Sequence, residues 1–279
     1  MNRIPVAPGF FLNVEVAGSG PPLVLLHGFT GSAASWAPFI EALGGGFTTI
    51  AIDIVGHGHS DKPAPLDRYR MRQAASDLVR AAGRAGFPRA HWMGYSMGGR
   101  IALAVAAYHP GSVERLVLVG ASPGLPTEEE RAARRNSDEA IAQHIETDGI
   151  PAFVRYWERL PIFATQARLP SGITERIRSE RLANHPVGLA NSLRGMGTGS
   201  QEPLFDRLPG IVNPALLLAG VDDSKYVAIG QEMAAAMPAA RFVSVPAAGH
   251  AAQTENPGFC AAEVIAFLTG AGPHGRTRQ

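Results

Sequence analysis

Six short apolar runs, each long enough for one strand, are separated by longer stretches of helical character. The runs are "LVLLHG" (23–28), "TTIAIDI" (48–54), "AHWMGYS" (90–96), "VERLVLVGA" (113–121), "PALLLAG" (214–220) and "ARFVSVPAAGH" (240–250). Runs of this kind are typical of parallel strands that helices bury on both faces. The pattern therefore predicts an α/β protein with a mostly parallel central sheet and helices on both of its faces.

The alternation stops between about residues 125 and 201, where four helical segments follow one another: "EEERAARRNSDEAIAQHIETDG", "IPAFVRYWERLP", "ITERIRSERLA" and "VGLANSLRGMG". We interpret residues 125–201 as a helical cap inserted into a core of residues 1–124 and 202–270. The stretch "FFLNVEVAGSG" is interpreted as an antiparallel hairpin at the sheet edge. The Gly- and Arg-rich residues 271–279 are predicted to be disordered.

The composition narrows the function classes. The chain has 279 residues, 46% of them apolar, and a formal net charge of +1, which suits one large domain and argues against a nucleic-acid partner. Residues 1–20 do not resemble a secretory signal, and the apolar runs are strand-sized, so we expect a cytoplasmic protein without membrane insertion. The single cysteine, Cys260, excludes an internal disulfide, and the sequence implies no metal or organic cofactor. The oligomeric state stays open.

The pattern G-x-S-x-G, which places a nucleophilic serine on a tight strand-to-helix turn, occurs twice, as "GYSMG" (94–98) and "GASPG" (120–124). An oxyanion hole uses the backbone N–H of the residue after the nucleophile, and a proline has none. Pro123 therefore makes Ser122 a turn residue. We predict Ser96 as the nucleophile and the Met97 amide as one oxyanion donor.

A serine hydroxyl needs a base, and the base needs a third group to orient it. In hydrolases built on such a turn the chain order is serine, acid, histidine, and each partner follows a later strand. His250 comes directly after the last predicted strand. The preceding strand is followed by Asp222 and Asp223, and the G-x-x-D spacing from Gly220 favours Asp223, with Asp222 as the alternative.

Two loops complete the predicted site. "LLHGFTGS" (25–32), after the first central strand, is expected to supply the second oxyanion donor, which we assign to the Phe29 backbone N–H. "HGHSD" (57–61) resembles the H-x-H-x-D start of a metallo-β-lactamase zinc site, but Lys62 stands where the next histidine is expected. We therefore predict no metal there, and a metallohydrolase is only a minor alternative.

Arg100 lies four residues after Ser96, so the two side chains share a face on an α-helix. A simple esterase favours an apolar pocket at this place, whereas a guanidinium binds a carboxylate through two hydrogen bonds. Arg100 therefore indicates a substrate with a carboxylate close to the reacting atom. The predicted cap contains further arginines, of which Arg131 and Arg135 are interpreted as surface residues.

These motifs and longer stretches resemble one enzyme family. "LLHGFTGSAASW", "DIVGHGHSDKP", "GYSMGGRIAL", "YWERLPIFA", "ANSLRGMGTG" and "AGHAAQTENP" are similar to the 2-succinyl-6-hydroxy-2,4-cyclohexadiene-1-carboxylate synthases of menaquinone biosynthesis, from about residue 10 to residue 268. The sheet motifs are shared by many α/β-hydrolases, and the specificity lies in Arg100 and in the cap stretches. The resemblance implies an α/β-hydrolase fold.

The resemblance also implies a lyase that eliminates pyruvate from an enolpyruvyl cyclohexene substrate with three carboxylates. Ser96, kept basic by His250 and Asp223, would remove a ring proton without forming an acyl-enzyme. The matching motifs imply six substrate-contacting residues, namely Arg100, Arg134, Tyr95, Trp157, Arg178 and Arg181. The first two would bind carboxylates, the two aromatic residues would line the pocket, and Arg178 or Arg181 would provide a third anion contact.

Two alternatives remain, of which the first is another enzyme and the second comes from a different function class. A carboxylesterase, or a C–C bond hydrolase of dienoic diketones, would use the same triad, oxyanion loop and cap. A ligand-sensing protein could share the fold, because function resides in the site and not in the fold. Full activity of an Arg100→Ala variant would favour the neutral-ester hydrolase, and ligand-dependent partner capture without turnover would favour the sensor.

Overall fold

The computed structural model describes residues 2–270, and its strands form one eight-stranded sheet. The strands are β1 (Asn2–Ala7), β2 (Phe10–Gly18), β3 (Pro22–Leu26), β4 (Thr48–Ile52), β5 (Ala90–Tyr95), β6 (Val113–Val119), β7 (Ala215–Gly220) and β8 (Ala240–Val245). Their order across the sheet is β1-β2-β4-β3-β5-β6-β7-β8. The pairs β1–β2 and β2–β4 are antiparallel, and the other neighbours are parallel. All six apolar runs thus contribute strands to a mostly parallel sheet, as predicted.

The α-helices of the described residues are α1 (Ala37–Ala42), α2 (Met71–Arg84), α3 (Met97–Tyr108), α4 (Glu128–Trp157), α5 (Ser171–Leu182), α6 (Pro186–Met196), α7 (Ser224–Ala236), α8 (Ala252–Glu255) and α9 (Pro257–Thr269). Short 3₁₀ helices cover Ala33–Trp36, Leu66–Tyr69, Pro110–Ser112, Pro161–Arg168 and Phe205–Gly210. Within residues 2–270, no helix combines the length and the apolar character that crossing a bilayer requires.

The side chains of β3 show how both faces of the sheet are buried. Val24 and Leu26 belong to the apolar cluster that includes residues of α2, α3 and α7. Leu23 and Leu25 belong to a second cluster, with residues of α1 and α9. Successive side chains of a strand point to opposite faces, so a strand covered on both sides needs a continuous apolar run. This requirement explains why the sequence pattern predicts the strands.

The N-terminal hairpin begins earlier than the sequence analysis places it. Residues 10–18 form β2, which pairs with β4 inside the sheet, and the edge strand is β1 at residues 2–7. The first strand contains Arg3 and Pro5, and three of its six residues are exposed, so it lacks the apolar run that marks the other strands. Proline is tolerated at a sheet edge, because an edge strand leaves some N–H groups unpaired.

Between β6 and β7 the chain forms α4, the 3₁₀ helix at residues 161–168, α5 and α6. We call residues 125–201 the helical insertion. Its own apolar cluster joins α4 to α6 and includes Ile145, Phe153 and Leu193. Gly149, with a φ of 77°, divides α4 at the boundary between two of the helical segments read from the sequence. The predicted disorder of residues 271–279 concerns a segment outside the described residues.

Candidate active site

The turn between β5 and α3 carries Ser96 alone, with φ 51° and ψ −110°. A positive φ is uncommon for a residue other than glycine and often marks a functional site. A Cβ atom on Gly94 would lie 2.2 Å from the carbonyl oxygen of Gly98, and one on Gly98 would lie 2.2 Å from that of Leu26. The backbone around Ser96 is therefore packed so closely that only glycine fits at either position.

Ser96, His250 and Asp223 form a chain of hydrogen bonds. Ser96 Oγ lies 3.0 Å from His250 Nε2, and His250 Nδ1 lies 2.8 Å from Asp223 Oδ2. A carboxylate can only accept, so Nδ1 of the imidazole donates to Asp223 and Nε2 is left to accept the serine O–H. The histidine is 4% exposed. This arrangement is suited to drawing the proton from the Ser96 hydroxyl.

The two neighbouring aspartates point to different partners. Asp223 Oδ1 accepts a second hydrogen bond, from the Tyr226 backbone N–H at 3.3 Å, at the start of α7. Asp222 Oδ2 instead accepts from the Arg168 guanidinium at 2.6 Å in an exposed ion pair. The structure therefore brings Asp223, and not Asp222, to the histidine.

The backbone amides of Phe29 and Met97 are free to act as donors, since neither gives a hydrogen bond to another residue of the range 2–270. The loop that contains Phe29 is fixed by His27, whose Nδ1 donates to the Gly28 carbonyl at 2.8 Å and whose Nε2 accepts from the Ile54 amide at 3.0 Å. Burial lowers the pKa of His27 and keeps the ring neutral for both bonds. Met97 begins α3, where the helix dipole favours negative charge.

The second G-x-S-x-G segment lies next to the histidine and not at a second nucleophile turn. Gly120 has a φ of +55°, and a Cβ atom there would come within 3.1 Å of His250 Cε1. Ser122 is buried beyond the end of β6. The glycine of this segment thus leaves room for the imidazole.

A cavity of about 310 Å³ lies beside Ser96. Its walls come from both the sheet core and the helical insertion, and include Ser96, His250, Arg100, Arg134, Trp157 and Tyr226. We call it the larger cavity. It therefore contains the hydroxyl, the base and two guanidinium groups in one enclosure.

Arg100 is 8% exposed and lies in the wall of the larger cavity. Its Nη1 donates to the Met196 carbonyl at 2.9 Å and to Gln201 Oε1 at 2.7 Å. Burial lowers the pKa of Arg100, but a guanidinium stays charged at neutral pH. Both hydrogen-bond partners are uncharged, and the Asp138 carboxylate acts on Arg100 electrostatically without a hydrogen bond to it, so an anion bound to the guanidinium would add to its stabilisation.

Arg134 reaches the larger cavity from α4. Its Nε donates to Asp138 Oδ1 at 2.8 Å, and Asp138 is 2% exposed. Burial raises the pKa of the Asp138 carboxyl, and the Arg134 charge acts in the opposite direction. The ion pair positions the Arg134 side chain through Nε, which leaves its terminal nitrogens for a ligand.

A smaller cavity of about 100 Å³ also reaches Ser96. Its lining includes Tyr95 and Arg181, and Arg181 is 7% exposed with its guanidinium 4.9 Å from the centre of the Phe163 ring. Burial lowers the pKa of Arg181. The smaller cavity thus contains a further buried guanidinium, that of Arg181, and is lined by the same serine.

Three aromatic side chains contribute to the walls of both cavities. The Phe29 and Trp157 ring centres are 5.2 Å apart at an angle of 74°, and Trp157 and Phe163 are 5.8 Å apart at 52°. We call Phe29, Trp157 and Phe163 the aromatic partition. Ser96 also lines both cavities, so a ligand bound at the serine has both cavities beside it.

Arg178 does not reach the site. Its guanidinium pairs with Glu158, and it is absent from the lining of both cavities. The expectation that either Arg178 or Arg181 contacts an anion therefore leaves Arg181. Arg131 and Arg135 both bond to Glu128 on the surface of the helical insertion.

Sequence analysis did not single out three residues of the site. Tyr226 packs on the imidazole, Phe163 belongs to the aromatic partition, and Gln201 holds Arg100. Tyr226 lies one helical turn after Asp223, a spacing that places it near the triad. The other two have no local signal, because the fold brings them to the site from distant parts of the chain.

The "HGHSD" loop is organised around Asp53. Asp53 Oδ2 accepts from the His59 backbone amide at 2.8 Å, and a Cβ atom on Gly58 would collide with this carboxylate. His57 Nδ1 lies 3.1 Å from the Val55 carbonyl, and burial lowers the pKa of His57 to about 3. In the part of the chain that the structure describes, no three His, Cys, Asp or Glu side chains form a group that could hold a metal ion.

Comparison with known proteins shows similarity to one fold family and to one enzyme family within it. The family model described as alpha/beta hydrolase fold matches residues 21–257. A Bacillus subtilis protein, provisionally named 2-succinyl-6-hydroxy-2,4-cyclohexadiene-1-carboxylate synthase, is 43% identical over 91% of this chain and 94% of its own. The synthase of that name from Pectobacterium atrosepticum is 33% identical over 91% of this chain and 96% of its own.

Solved structures agree with the sequence relatives. MenH from S. aureus has a TM-score of 0.87 at 33% identity and covers 93% of this chain and 98% of its own. A thermophilic esterase from Thermogutta terrifontis, solved with malate bound, has a TM-score of 0.83 at 26% identity, and the match covers 94% of each chain. These likenesses confirm the fold class and the family resemblance that the sequence motifs predict.

Proposed function

We infer that this chain, which belongs to the 2-succinyl-6-hydroxy-2,4-cyclohexadiene-1-carboxylate synthase family of the α/β-hydrolase superfamily, is an enzyme of menaquinone biosynthesis. Its proposed reaction, that of a carbon–oxygen lyase, eliminates pyruvate from 2-succinyl-5-enolpyruvyl-6-hydroxy-3-cyclohexene-1-carboxylate. The product is 2-succinyl-6-hydroxy-2,4-cyclohexadiene-1-carboxylate. We place this small-molecule chemistry in the cytoplasm.

Arg100 is the observation that carries the proposal. It is a buried guanidinium with uncharged partners, in the same cavity as Ser96 and His250. A neutral ester would gain nothing from that charge, whereas the proposed substrate brings three carboxylates to it. The site therefore fits a polyanionic substrate better than a neutral one.

The first step is removal of the ring proton at C2, which is acidified by the neighbouring succinyl ketone. Ser96 Oγ takes this proton while its own proton passes to His250 Nε2, and Asp223 stabilises the resulting imidazolium. The electrons of the C2–H bond form the C2=C3 double bond, the ring double bond shifts to C4=C5, and the C5–O bond breaks. The enolpyruvate that leaves is protonated to pyruvate, and no covalent bond to Ser96 forms.

The negative charge that develops during proton removal resides on the succinyl ketone oxygen. We assign its stabilisation to the Phe29 and Met97 amides, an assignment supported by the free state of both donors. Removing one such donor in a hydrolase typically costs about 3 to 4 kcal/mol of transition-state stabilisation. The oxyanion hole of an ester hydrolase thus serves an enolate here.

Three guanidiniums are available for three carboxylates. Arg100 and Arg134 in the larger cavity would bind two of them, and Arg181 in the smaller cavity would bind the third. Trp157 lines both cavities, and Tyr95 lines the smaller one. We also infer that the helical insertion acts as a cap, a role supported by its contribution of two of the three arginines.

A carboxylesterase or C–C bond hydrolase is the second candidate. The complete hydrogen-bond chain at Ser96 favours it, since acyl transfer needs the same three residues. The likeness to the Thermogutta terrifontis esterase points the same way. The two candidate activities are therefore distinguished by their products, which are pyruvate for the lyase and a hydrolysed substrate for the hydrolase.

The deciding experiment measures pyruvate release from the enolpyruvyl cyclohexene substrate, with an enzyme-free blank that subtracts unaided decomposition. We expect rapid release by the wild type, loss with Ser96→Ala, and retention with Ser122→Ala, which removes the serine of the second G-x-S-x-G segment. A simple nitrophenyl ester is assayed alongside. Serine-dependent ester cleavage without pyruvate release would instead establish the hydrolase.

A further inference from the structure

Tyr226 occupies a position between the triad and the substrate arginines. It follows Asp223 on the first turn of α7 and donates its backbone N–H to that carboxylate. Its ring centre lies 4.5 Å from that of His250, with the two planes at 52°. The ring thus packs directly on the imidazole and limits how far it can rotate.

The hydroxyl group of Tyr226 is available for a separate interaction. The side chain lines the larger cavity, and among residues 2–270 its hydroxyl has no hydrogen-bond partner. Burial raises the pKa of this phenol, so it stays protonated at neutral pH and can donate. Arg100 and Arg134 line the same cavity as Tyr226. The hydroxyl is therefore an unused donor in the wall of the cavity that also contains Arg100, and a carboxylate bound there could accept from it.

The hydrogen bonds of Arg100 decide which of its edges a carboxylate can use. A guanidinium has five N–H donors, two on each Nη and one on Nε. Nη1 already gives two hydrogen bonds, to Met196 and Gln201. A carboxylate can therefore bind in a bidentate way only along the Nε and Nη2 edge. A carboxylate bound there still has lone pairs free for another donor.

We propose that the Tyr226 hydroxyl donates a hydrogen bond to the substrate carboxylate that Arg100 binds, and so acts as a specificity-determining residue. The inference rests on the proposed function and adds a third donor to that carboxylate site. The Tyr226 ring has a separate role, which is to position His250. One side chain thereby links recognition of the anion to the orientation of the base.

Tyr226→Phe separates the two roles, because it removes the hydroxyl and keeps the ring. In the pyruvate-release assay we expect KM to rise about 10- to 100-fold, the usual value of a hydrogen bond to a charged group, while kcat changes less than about threefold. The pH profile of kcat should stay unchanged, because His250 keeps its ring contact. Tyr108→Phe is the matched control, since the Tyr108 hydroxyl bonds to Glu202 outside the larger cavity.

A double-mutant cycle tests whether the two residues hold the same carboxylate. If they do, Tyr226→Phe should change KM much less in an Arg100→Ala background than in the wild type. Equal effects in the two backgrounds would overturn the shared-carboxylate assignment. Tyr226→Leu should lower kcat as well, because it also removes the ring from His250.

The outcomes separate this inference from the proposed function. A wild type that releases no pyruvate would overturn both. An active wild type with an unchanged KM in Tyr226→Phe would overturn the Tyr226 assignment alone. A fall in kcat of Tyr226→Phe without a change in KM would also overturn it, because the hydroxyl would then act on the reacting atoms and not on the bound carboxylate.

Discussion

Arg100 donates to Gln201 Oε1 across 2.7 Å, although the two residues are 101 positions apart. Arg100 lies on the helix that begins at the nucleophile, whereas Gln201 ends the helical insertion. Gln201 is 1% exposed, so water does not compete for this bond. The position of the Arg100 guanidinium, which we propose binds a substrate carboxylate, is therefore set by the point where the insertion returns to the sheet core.

Substitutions of Arg100 and Gln201 should both lower kcat/KM, and the loss should be larger for Arg100. Arg100→Ala should lower kcat/KM for pyruvate release by about 30-fold to several thousand-fold, since losing one partner of a buried charge contact costs about 2 to 5 kcal/mol. Gln201→Glu should cause a smaller loss, because the new carboxylate would pair with Arg100 and compete with the substrate. Steady-state kinetics on the tricarboxylate would measure both.

The neighbouring residue provides the control for Gln201. Glu202 bonds to the Tyr108 hydroxyl at the surface, so Glu202→Gln should leave kcat/KM within about twofold of the wild type. Equal losses in Gln201→Glu and Glu202→Gln would contradict a specific role of Gln201.

The two adjacent aspartates should differ sharply in activity. Asp223→Asn should lower kcat by about 10⁴-fold, because an amide no longer fixes the imidazole in the tautomer that accepts the Ser96 proton. Asp222→Asn should leave kcat nearly unchanged, since Asp222 pairs only with exposed Arg168. Comparable losses in the two variants would contradict the assignment of Asp223 as the acid.

Alanine substitutions at two glycines should change stability in opposite directions. Gly98→Ala should lower the free energy of unfolding by about 1 to 3 kcal/mol or more, because the new Cβ would lie 2.2 Å from the Leu26 carbonyl oxygen. Gly258→Ala in α9 meets no atom within 4 Å and should raise stability by up to about 1 kcal/mol. Thermal unfolding would show the contrast, and a destabilised Gly258→Ala would count against it.

Two buried histidines should make the protein less stable in acid. Burial lowers the pKa of His57 from 6.5 to about 3, and it also lowers that of His27. Between pH 6.5 and about 3 the unfolded chain binds a proton at His57 that the folded protein excludes. The free energy of unfolding is therefore highest above pH 6.5 and falls through this window, with a slope of up to about 1.4 kcal/mol per pH unit for each histidine.

His57→Asn should flatten this dependence. Asparagine can keep a side-chain N–H for the Val55 carbonyl but does not bind the proton, so part of the slope should disappear while the His27 share remains. Denaturant unfolding of both proteins at several pH values between 7.5 and 4.5 would measure it. Parallel curves would show that His57 contributes nothing to the slope.

The sequence predicts the strands because each central strand is an apolar run of strand length. It does not predict β1, since Arg3 and Pro5 make that edge strand look like a loop. Ser96 and His250 could be singled out because their signals are local: a turn pattern followed by a residue with an N–H, and a position directly after the last strand. Such signals depend on neighbours in the chain and not on the tertiary packing.

For other residues of the site, the role depends on the direction in which the side chain points. The spacing of residues in the sequence does not determine that direction. Arg178 and Arg181 lie on the same helix, yet Arg178 pairs with Glu158 and Arg181 is enclosed beside Phe163. Asp222 and Asp223 are adjacent, and only the hydrogen bonds distinguish them. The spacing of Tyr226 from Asp223 places it near the triad, but it does not show that the ring packs on His250.

The aromatic partition has a consequence for inhibitors. A molecule confined to one cavity reaches only the arginines of that cavity, which are Arg181 in the smaller one and Arg100 and Arg134 in the larger one. A forked molecule whose branch point rests at Ser96 can send one anionic arm to Arg181 and another to Arg100. Since linking two arms makes the second binding event intramolecular, such a molecule should bind far more tightly than either arm alone.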